Sequence, residues 1–396
     1  MNARRIGVLV GLDLRQRVRR PGFYVLLGIF FVVVCAIAWL GSLVFGEAGG
    51  GRGVASIALY GVLLMAVLVT PTFTGNAING EREQATLAPV QVTLATTPEI
   101  LAARFLAGWA TGLVYLAAAL PVVGFALLDD ALWWGDGSAG CFGSGCPAAP
   151  VAAWGIAAAI LVLAAEVGVI AAIGVGLSAI IAKPLFSVAA TYLVVMMLVV
   201  GTLIAFALGT FAVRSPVATL TESPREVYVS DGQNAAYLPD CADAAEPCLE
   251  ERPDVSDRCV AVRGAQEVPR YDRVWWLLAA NPFVVVADAT PTAYDRAGYP
   301  VDLFGQLKYG IRAAQQAPDL EQQDWSDPCD GRVQLPGEYV EYGADSPTAR
   351  EVIEGSVPTW FVGLGLQALL AAGLLVWGGF RTRTPARRTP PGSRVA

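Results

Sequence analysis

Histidine is absent from the 396-residue chain. That gap excludes Ser-His-Asp triads, HExxH zinc sites and imidazole proton relays, all of which need the ring nitrogens. Charge is also scarce: 15% of residues are charged, against about a quarter in soluble domains. No G-x-x-x-x-G-K-[ST] loop occurs, so the chain has no phosphate cradle of that type for ATP. No basic patch with interleaved aromatics points to nucleic acid. The apolar runs hold no paired acids of the kind a membrane-embedded enzyme would need. Without histidine or a paired CxxC spacing, a zinc site is the weaker of two readings of the cysteines, and no metal site is expected.

In place of charge the chain has apolar length. Hydrophobic residues make up 55% of it, and a helix needs roughly 20 of them in a row to cross a bilayer core. Six stretches qualify: Phe23–Val44, Val54–Phe73, Ile100–Leu128, Val151–Ala182, Leu185–Phe211 and Pro358–Phe380. The first exceeds the roughly 7–15 residues of a secretory apolar region and lacks an A-x-A exit, so it reads as an anchor. The expected fold is an all-α membrane protein with about six transmembrane helices.

Charge sets the expected orientation. Arg4, Arg5, Arg15, Arg17, Arg19 and Arg20 precede the first span, Arg82 follows the second, and Lys183 separates the fourth from the fifth. Arg381, Arg383, Arg387, Arg388 and Arg394 follow the sixth, while the two short loops of the other side hold only Arg52. The positive-inside rule then puts both termini and the 76–99 loop in the cytoplasm, in a multi-pass protein of the plasma membrane.

Residues 212–356 hold 25 of the 34 acids and 12 of the 27 bases, and fall outside on this map. The segment reads as an extracytoplasmic domain between spans five and six. Cys141, Cys146, Cys241, Cys248, Cys259 and Cys329 all fall in segments expected outside, where disulfides form. Cys141 and Cys146 would close a small ring, and the other four allow three pairings, so the insertion is expected to be disulfide-stapled. Residues 1–20 carry apolar positions among arginines and read as a basic amphipathic helix on the inner membrane surface. Residues 381–396 read as a disordered cytoplasmic tail. Val274–Ala289 is apolar but short for a span, and Asn281-Pro282 interrupts it. It reads either as a broken, re-entrant helix pair at the outer face or as a buried core helix of the outer domain.

Within the spans, Glu166 is an intramembrane carboxyl, a candidate for the substrate path or else a group satisfied by hydrogen bonds inside the bundle. Gly168, Gly174, Gly176, Gly363 and Gly365 allow close helix approach, within one chain or between two. Trp39, Trp133, Trp134, Trp154, Trp275, Trp276, Trp360 and Trp377 cluster near the expected interfaces, where tryptophan anchors helices. Trp275 and Trp276, with Asn281 and Pro282, are candidates for an extracellular gate.

The most informative stretch follows the second span: Gly75-Asn-Ala-Ile-Asn-Gly80-Glu81-Arg82-Glu83-Gln84-Ala-Thr86-Leu87, then Leu94-Ala-Thr96-Thr-Pro98-Glu-Ile-Leu-Ala-Ala-Arg104. A polar turn at Asn76–Gly80 ends the span, and acids follow where a helix N-terminus favours them. Thr97 or Pro98 opens the next helix, with proline near its first position. A short amphipathic helix between the two would suit docking into a partner's groove.

This stretch resembles the loop of exporter-type ABC transporter permeases of the second permease class. There a Gly-Glu-Arg-Glu-x-Gly-Thr-Leu box and a Leu-Ala-Thr-Pro segment link two spans. Gly80, Glu81, Arg82, Glu83, Gln84, Thr86 and Leu87 match the first box, and Leu94, Ala95, Thr96, Pro98, Glu99 and Ile100 the second. Ala85 replaces a common glycine, Thr97 is an extra residue, and Arg104 stands where lysine is frequent. Asn281-Pro282-Phe283 resembles a pair that often precedes the last span. The resemblance implies a coupling helix, and a transport subunit whose ATP and magnesium sit on a separate P-loop ATPase subunit. It also implies a second permease copy, identical or related. By itself this chain would bind no cofactor and catalyse no reaction. The alternative is a membrane-anchored extracellular binding or sensing protein, which the large outer segment favours.

Overall fold

The computed structural model describes residues 2–45, 50–80, 96–133, 153–224, 259–295, 297–318 and 347–382. The first helix, α1 (Ala3–Val18), starts at Asn2, whose side chain accepts the Arg4 N–H at 3.1 Å, the usual N-cap device. Leu9 on one face packs against Ile78 and Ile100, while Val8 and Leu12 stay exposed.

Among the described residues, six helical stretches are long and apolar enough to cross a membrane. They are α2 (Pro21–Phe45), α3 (Gly50–Thr74), α4 (Thr97–Trp133), α5 (Ala153–Ile180), a composite fifth, and a last helix α12 (Trp360–Thr382). The fifth consists of α6 (Pro184–Met196), a π-helical turn at Met197–Gly201, and α7 (Thr202–Ala212). All six coincide with the expected apolar runs to within a few residues, so the chain has the architecture of a helical multi-pass membrane protein. About 67% of the apolar window of α3 is buried against 11% for the fifth stretch. The helix α3 is therefore the centre of the unit, flanked by α2, α4 and α5.

Two compact units divide the chain: Met1–Leu208 with Trp275–Gln315 and Pro347–Ala396, and Gly209–Val274 with Gln316–Ser346. The expected outer domain is therefore not one body. Trp275–Gln315 and the residues from Pro347 join the helical unit, with Val285, Val286, Ala287 and Phe304 packed in the core of the spans. In the second unit, β1 (Arg214–Pro224) pairs antiparallel with β2 (Cys259–Pro269), Arg214 opposite Pro269 and Pro224 opposite Cys259. The other named elements of the chain are helical. Arg270 forms a two-point ion pair with Asp272 (2.7 and 2.8 Å) beside the short helix α8 (Tyr271–Val274).

In the helical unit a 3₁₀ turn, Trp275–Leu278, leads to α9 (Pro282–Ala289), then α10 (Leu303–Ala313) and α11 (Ala349–Glu354). Asn281 caps α9 by accepting the Phe283 N–H at 2.9 Å, and Pro282 takes the first helical position, where its missing N–H costs nothing. Gln367 of α12 donates to the Ala280 carbonyl at 2.9 Å, seven residues into that helix. By Asp288 the chain is back at its start, where Asp288 accepts the Thr359 and Trp360 N–H groups at 2.6 and 2.9 Å. The segment thus runs about 10 Å back along α12, at 1.5 Å per residue. Residues 275–289 pack against α12 within the helical unit.

Candidate functional site

The segment after the second span is held at both ends. Ile78 and Asn79 donate their backbone N–H groups to Ser178 Oγ near the end of α5, at 2.9 and 3.3 Å. The Ser178 hydroxyl donates to Asn79 Oδ1, and Asn79 Nδ2 donates to the Ile181 carbonyl at 3.2 Å. Asn79 and Ser178 are fully buried, so these bonds fix the exit of α3 onto α5. Gly80 follows, its N–H bonded to the Asn76 carbonyl. Glu81, Arg82, Glu83, Gln84, Thr86 and Leu87, with Leu94 and Ala95, lie outside the described residues.

The chain re-enters at Thr96 and opens α4 at Thr97-Pro98, the expected start. Glu99 closes this start: Oε2 accepts the Thr96 N–H at 3.0 Å and Oε1 the Asn2 N–H at 2.6 Å. Asp13 then bridges Arg17 and Arg104, each at 3.1 Å, tying α1 to α4. Beside Pro98 an apolar cavity of about 330 Å³ opens between Leu101 and Phe105 of α4 and Val376 and Phe380 of α12.

The second group of expected site residues divides. Asn281 and Pro282 are buried in the helical unit. Asn281 Nδ2 donates to the Val199 carbonyl (2.8 Å) and to Thr202 Oγ1 (2.9 Å), supplying a donor where the π turn disturbs the helical ladder. Trp276 is 58% exposed and Trp275 is half-buried. Glu166 is fully buried in α5, with Gln367 of α12 the polar side chain that faces it.

Of the cysteines, Cys141, Cys146, Cys241, Cys248 and Cys329 lie outside the described residues, and Cys259 is described only as the first residue of β2. Cys35 in α2 is a free thiol. Among the described residues there is no group of three or more His, Cys, Asp or Glu side chains that could hold a metal ion.

A buried charge cluster escaped the sequence reading. Asp288 meets Arg312 of α10 at 2.7 Å, and Arg312 also donates to the Ser356 carbonyl at 2.8 Å. Lys308 donates to the Thr290 carbonyl at 2.5 Å. The only advance signal was one acid ending the run Phe283–Ala287. Burial, aided by Arg312 and opposed by Asp288 and Asp302, pushes the Lys308 ammonium down to about 8. Above that pH and up to the ordinary lysine value of about 10.4, the unfolded chain holds more protons than the folded one, so stability rises with pH. The apparent Tm in detergent should climb across that window relative to Lys308→Met, and parallel curves for the two proteins would refute this.

A scan against protein-family models finds no match for this chain, and a search of curated proteins finds none either.

Proposed function

We propose that this chain is the membrane-spanning permease subunit of an ATP-driven exporter, worked by a separate P-loop ATPase and paired with a second permease copy. The observation that carries the reading is the Gly80–Leu87 and Leu94–Ile100 stretch and the anchoring of its two ends. One end is locked onto α5 through Asn79 and Ser178, the other onto α1 and α4 through Glu99. A push delivered to the segment between them would reach three spans through short hydrogen bonds, as a coupling element requires. The arginine bias puts this end of the bundle in the cytoplasm, where ATP is available. ATP and magnesium belong to the partner, since this chain carries no P-loop.

Gentle purification of the tagged chain should bring down a P-loop ATPase in stoichiometric amount. In that complex, Glu81→Ala with Glu83→Ala should leave the amount in the membrane unchanged and lower coupled ATP turnover by about 5- to 150-fold, the usual range of a coupling free energy. Unchanged turnover in the double variant would sink the coupling role. The second unit, separate from the helical one, favours an alternative in which outer residues bind a ligand and the spans serve as anchor. On that reading the double variant is silent and no ATPase co-purifies.

A further inference from the structure

A groove on the outside of a membrane-spanning bundle is filled by lipid or by another span. One such groove lies between α4 and α12 at the arginine-rich end of the bundle. It forms because both helices lean on α5 more than on each other. Gly378 of α12 has no Cβ, and one built there would fall 2.7 Å from Ala179 Cβ, so α12 seats directly on α5. Leu101 of α4 and Leu375 of α12 pack with Val175 and Ala179 of α5 in one cluster. The wedge left between α4 and α12 is the apolar cavity of about 330 Å³. Its floor, Leu101, is buried, while Pro98, Val376 and Phe380 on its rims are exposed. It therefore opens away from the bundle.

Length and charge choose the occupant. Along α4 the groove runs from Thr97 to Phe105, about 12 Å at 1.5 Å per residue. That is under half of a bilayer core of about 30 Å, the depth of one leaflet. Another span is about 10–12 Å across and needs a seam along most of the membrane. One acyl chain is slimmer and needs only its own leaflet. The mouth of the groove is positive. Arg381 follows Phe380 in the last turn of α12 and is exposed. Thr97-Pro98 opens α4, where the helix dipole is positive. The acids at this end are turned elsewhere: Glu99 accepts the Thr96 and Asn2 N–H groups, and Asp13 holds Arg17 and Arg104. An anionic headgroup complements such a mouth, as it does other basic pockets between spans.

We propose that this groove is a binding site for an anionic phospholipid of the leaflet on the arginine-rich side. One acyl chain lies between α4 and α12, and the phosphate lies beside Arg381 and the start of α4. The bound chain braces the start of α4, which Glu99 closes, against α12. The inference does not rest on the exporter reading.

The test is photo-crosslinking of the full chain in phosphatidylcholine nanodiscs that hold a trace of phosphatidylglycerol with a diazirine in its acyl chain. Peptides carrying Leu101, Phe105, Val376 and Phe380 should be labelled in excess of those carrying Leu185, Leu193 and Leu208, exposed apolar residues of the fifth stretch. The same diazirine on phosphatidylcholine should not give that excess. Arg381→Gln should cut the excess about five-fold, the weight of one arginine at an anionic surface. Gly379→Leu should abolish it. A Cβ at Gly379 meets only Leu101 Cδ1, at an ordinary 3.4 Å, so the leucine fills the groove without moving the backbone. Even labelling of the two peptide sets would mean bulk lipid only and overturn the site. Equal excess from the two probes would overturn the anionic headgroup. Labelling of the fifth stretch with none in the groove would mean that protein covers it, and would also overturn the proposal. If Gly379→Leu does not fold, Ala102→Leu fills the groove from the α4 side, and an excess that survives it overturns the place assigned to the chain.

Discussion

Asp288→Ala is expected to destabilise the helical unit by about 3–5 kcal/mol, the usual cost of stranding one partner of a buried ion pair. Asp288 is buried and serves two elements at once. Its Oδ1 pairs with Arg312 Nε at 2.7 Å. Its Oδ2 accepts the Thr359 N–H (2.6 Å), the Thr359 hydroxyl (3.0 Å) and the Trp360 N–H (2.9 Å), which are donors left open where α12 begins. Its negative charge also sits at the positive end of that helix's dipole. Alanine leaves Arg312 as a buried charge without its carboxylate and uncaps α12, a further cost of about 1 kcal/mol. Asp288→Asn keeps an acceptor and should lose less. Asp288→Ala with Arg312→Met should recover much of the loss, because removing both charges leaves nothing stranded. Fluorescence-detected thermal unfolding in detergent reads all three variants. An Asp288→Ala protein that melts with the wild type would show that α9 does not hold the start of α12.

How much of this was legible in the sequence follows from the range of the forces. The six spans were legible because a bilayer demands continuous apolar length, and that demand acts within about 20 neighbouring residues. The start of α4 was legible for a similar reason: Thr96-Thr97-Pro98-Glu99 carries its capping partners within three residues. Asn281-Pro282 was legible as a break in an apolar run but not as the cap of α9 that it forms. The strand pair β1–β2 was not, since its register joins Arg214 to Pro269 across a segment that reads only as polar and loop-rich. Nor was the π turn in the fifth stretch, whose residues Met197–Gly201 look like any apolar helix. The placement of Trp275–Gln315 depends on contacts such as Asp288 with Thr359, 71 residues apart. For the candidate site, Glu166 announced itself as a carboxyl in an apolar run, but its facing partner Gln367 lies on another span. The Glu81–Glu83 stretch was legible only through its resemblance to a known box. The structure adds what holds its flanks, Ser178 and Glu99, neither of which the sequence marked for that role.

Gly363 is the position where the smallest substitution should do the most damage. It lies in the first turn of α12, against the Leu278–Asn281 turn and α9. A Cβ built there would fall inside the van der Waals envelope of the Ala279 carbonyl oxygen, 2.7 Å from Val285 Cγ2 and 2.8 Å from the Ala279 carbonyl carbon. The first obstacle is backbone, which cannot rotate away as a side chain can, so α12 and the turn must move apart. Gly176 repeats the geometry where α5 meets α12: its Cβ would come within 2.8 Å of Leu374 Cβ and 2.9 Å of the Leu374 carbonyl carbon. Small residues that let helix backbones approach are what packing inside a membrane relies on, since lipid offers no hydrophobic drive between helices. At Gly363 the separation would also stretch the Gln367–Ala280 bond one turn further along and the Asp288 contacts at Thr359 and Trp360. Gly363→Ala should therefore cost about 1–3 kcal/mol, the usual penalty of overpacking, and Gly363→Leu should prevent recovery of a monodisperse protein. Gly365, two residues away with nothing within 4 Å of its Cβ position, supplies the control. Gly365→Ala should be silent or slightly stabilising, since it replaces glycine in a helix interior. Equal behaviour of Gly363→Ala and Gly365→Ala in size-exclusion and thermal melts would mean that α12 does not bear on the Leu278–Asn281 turn.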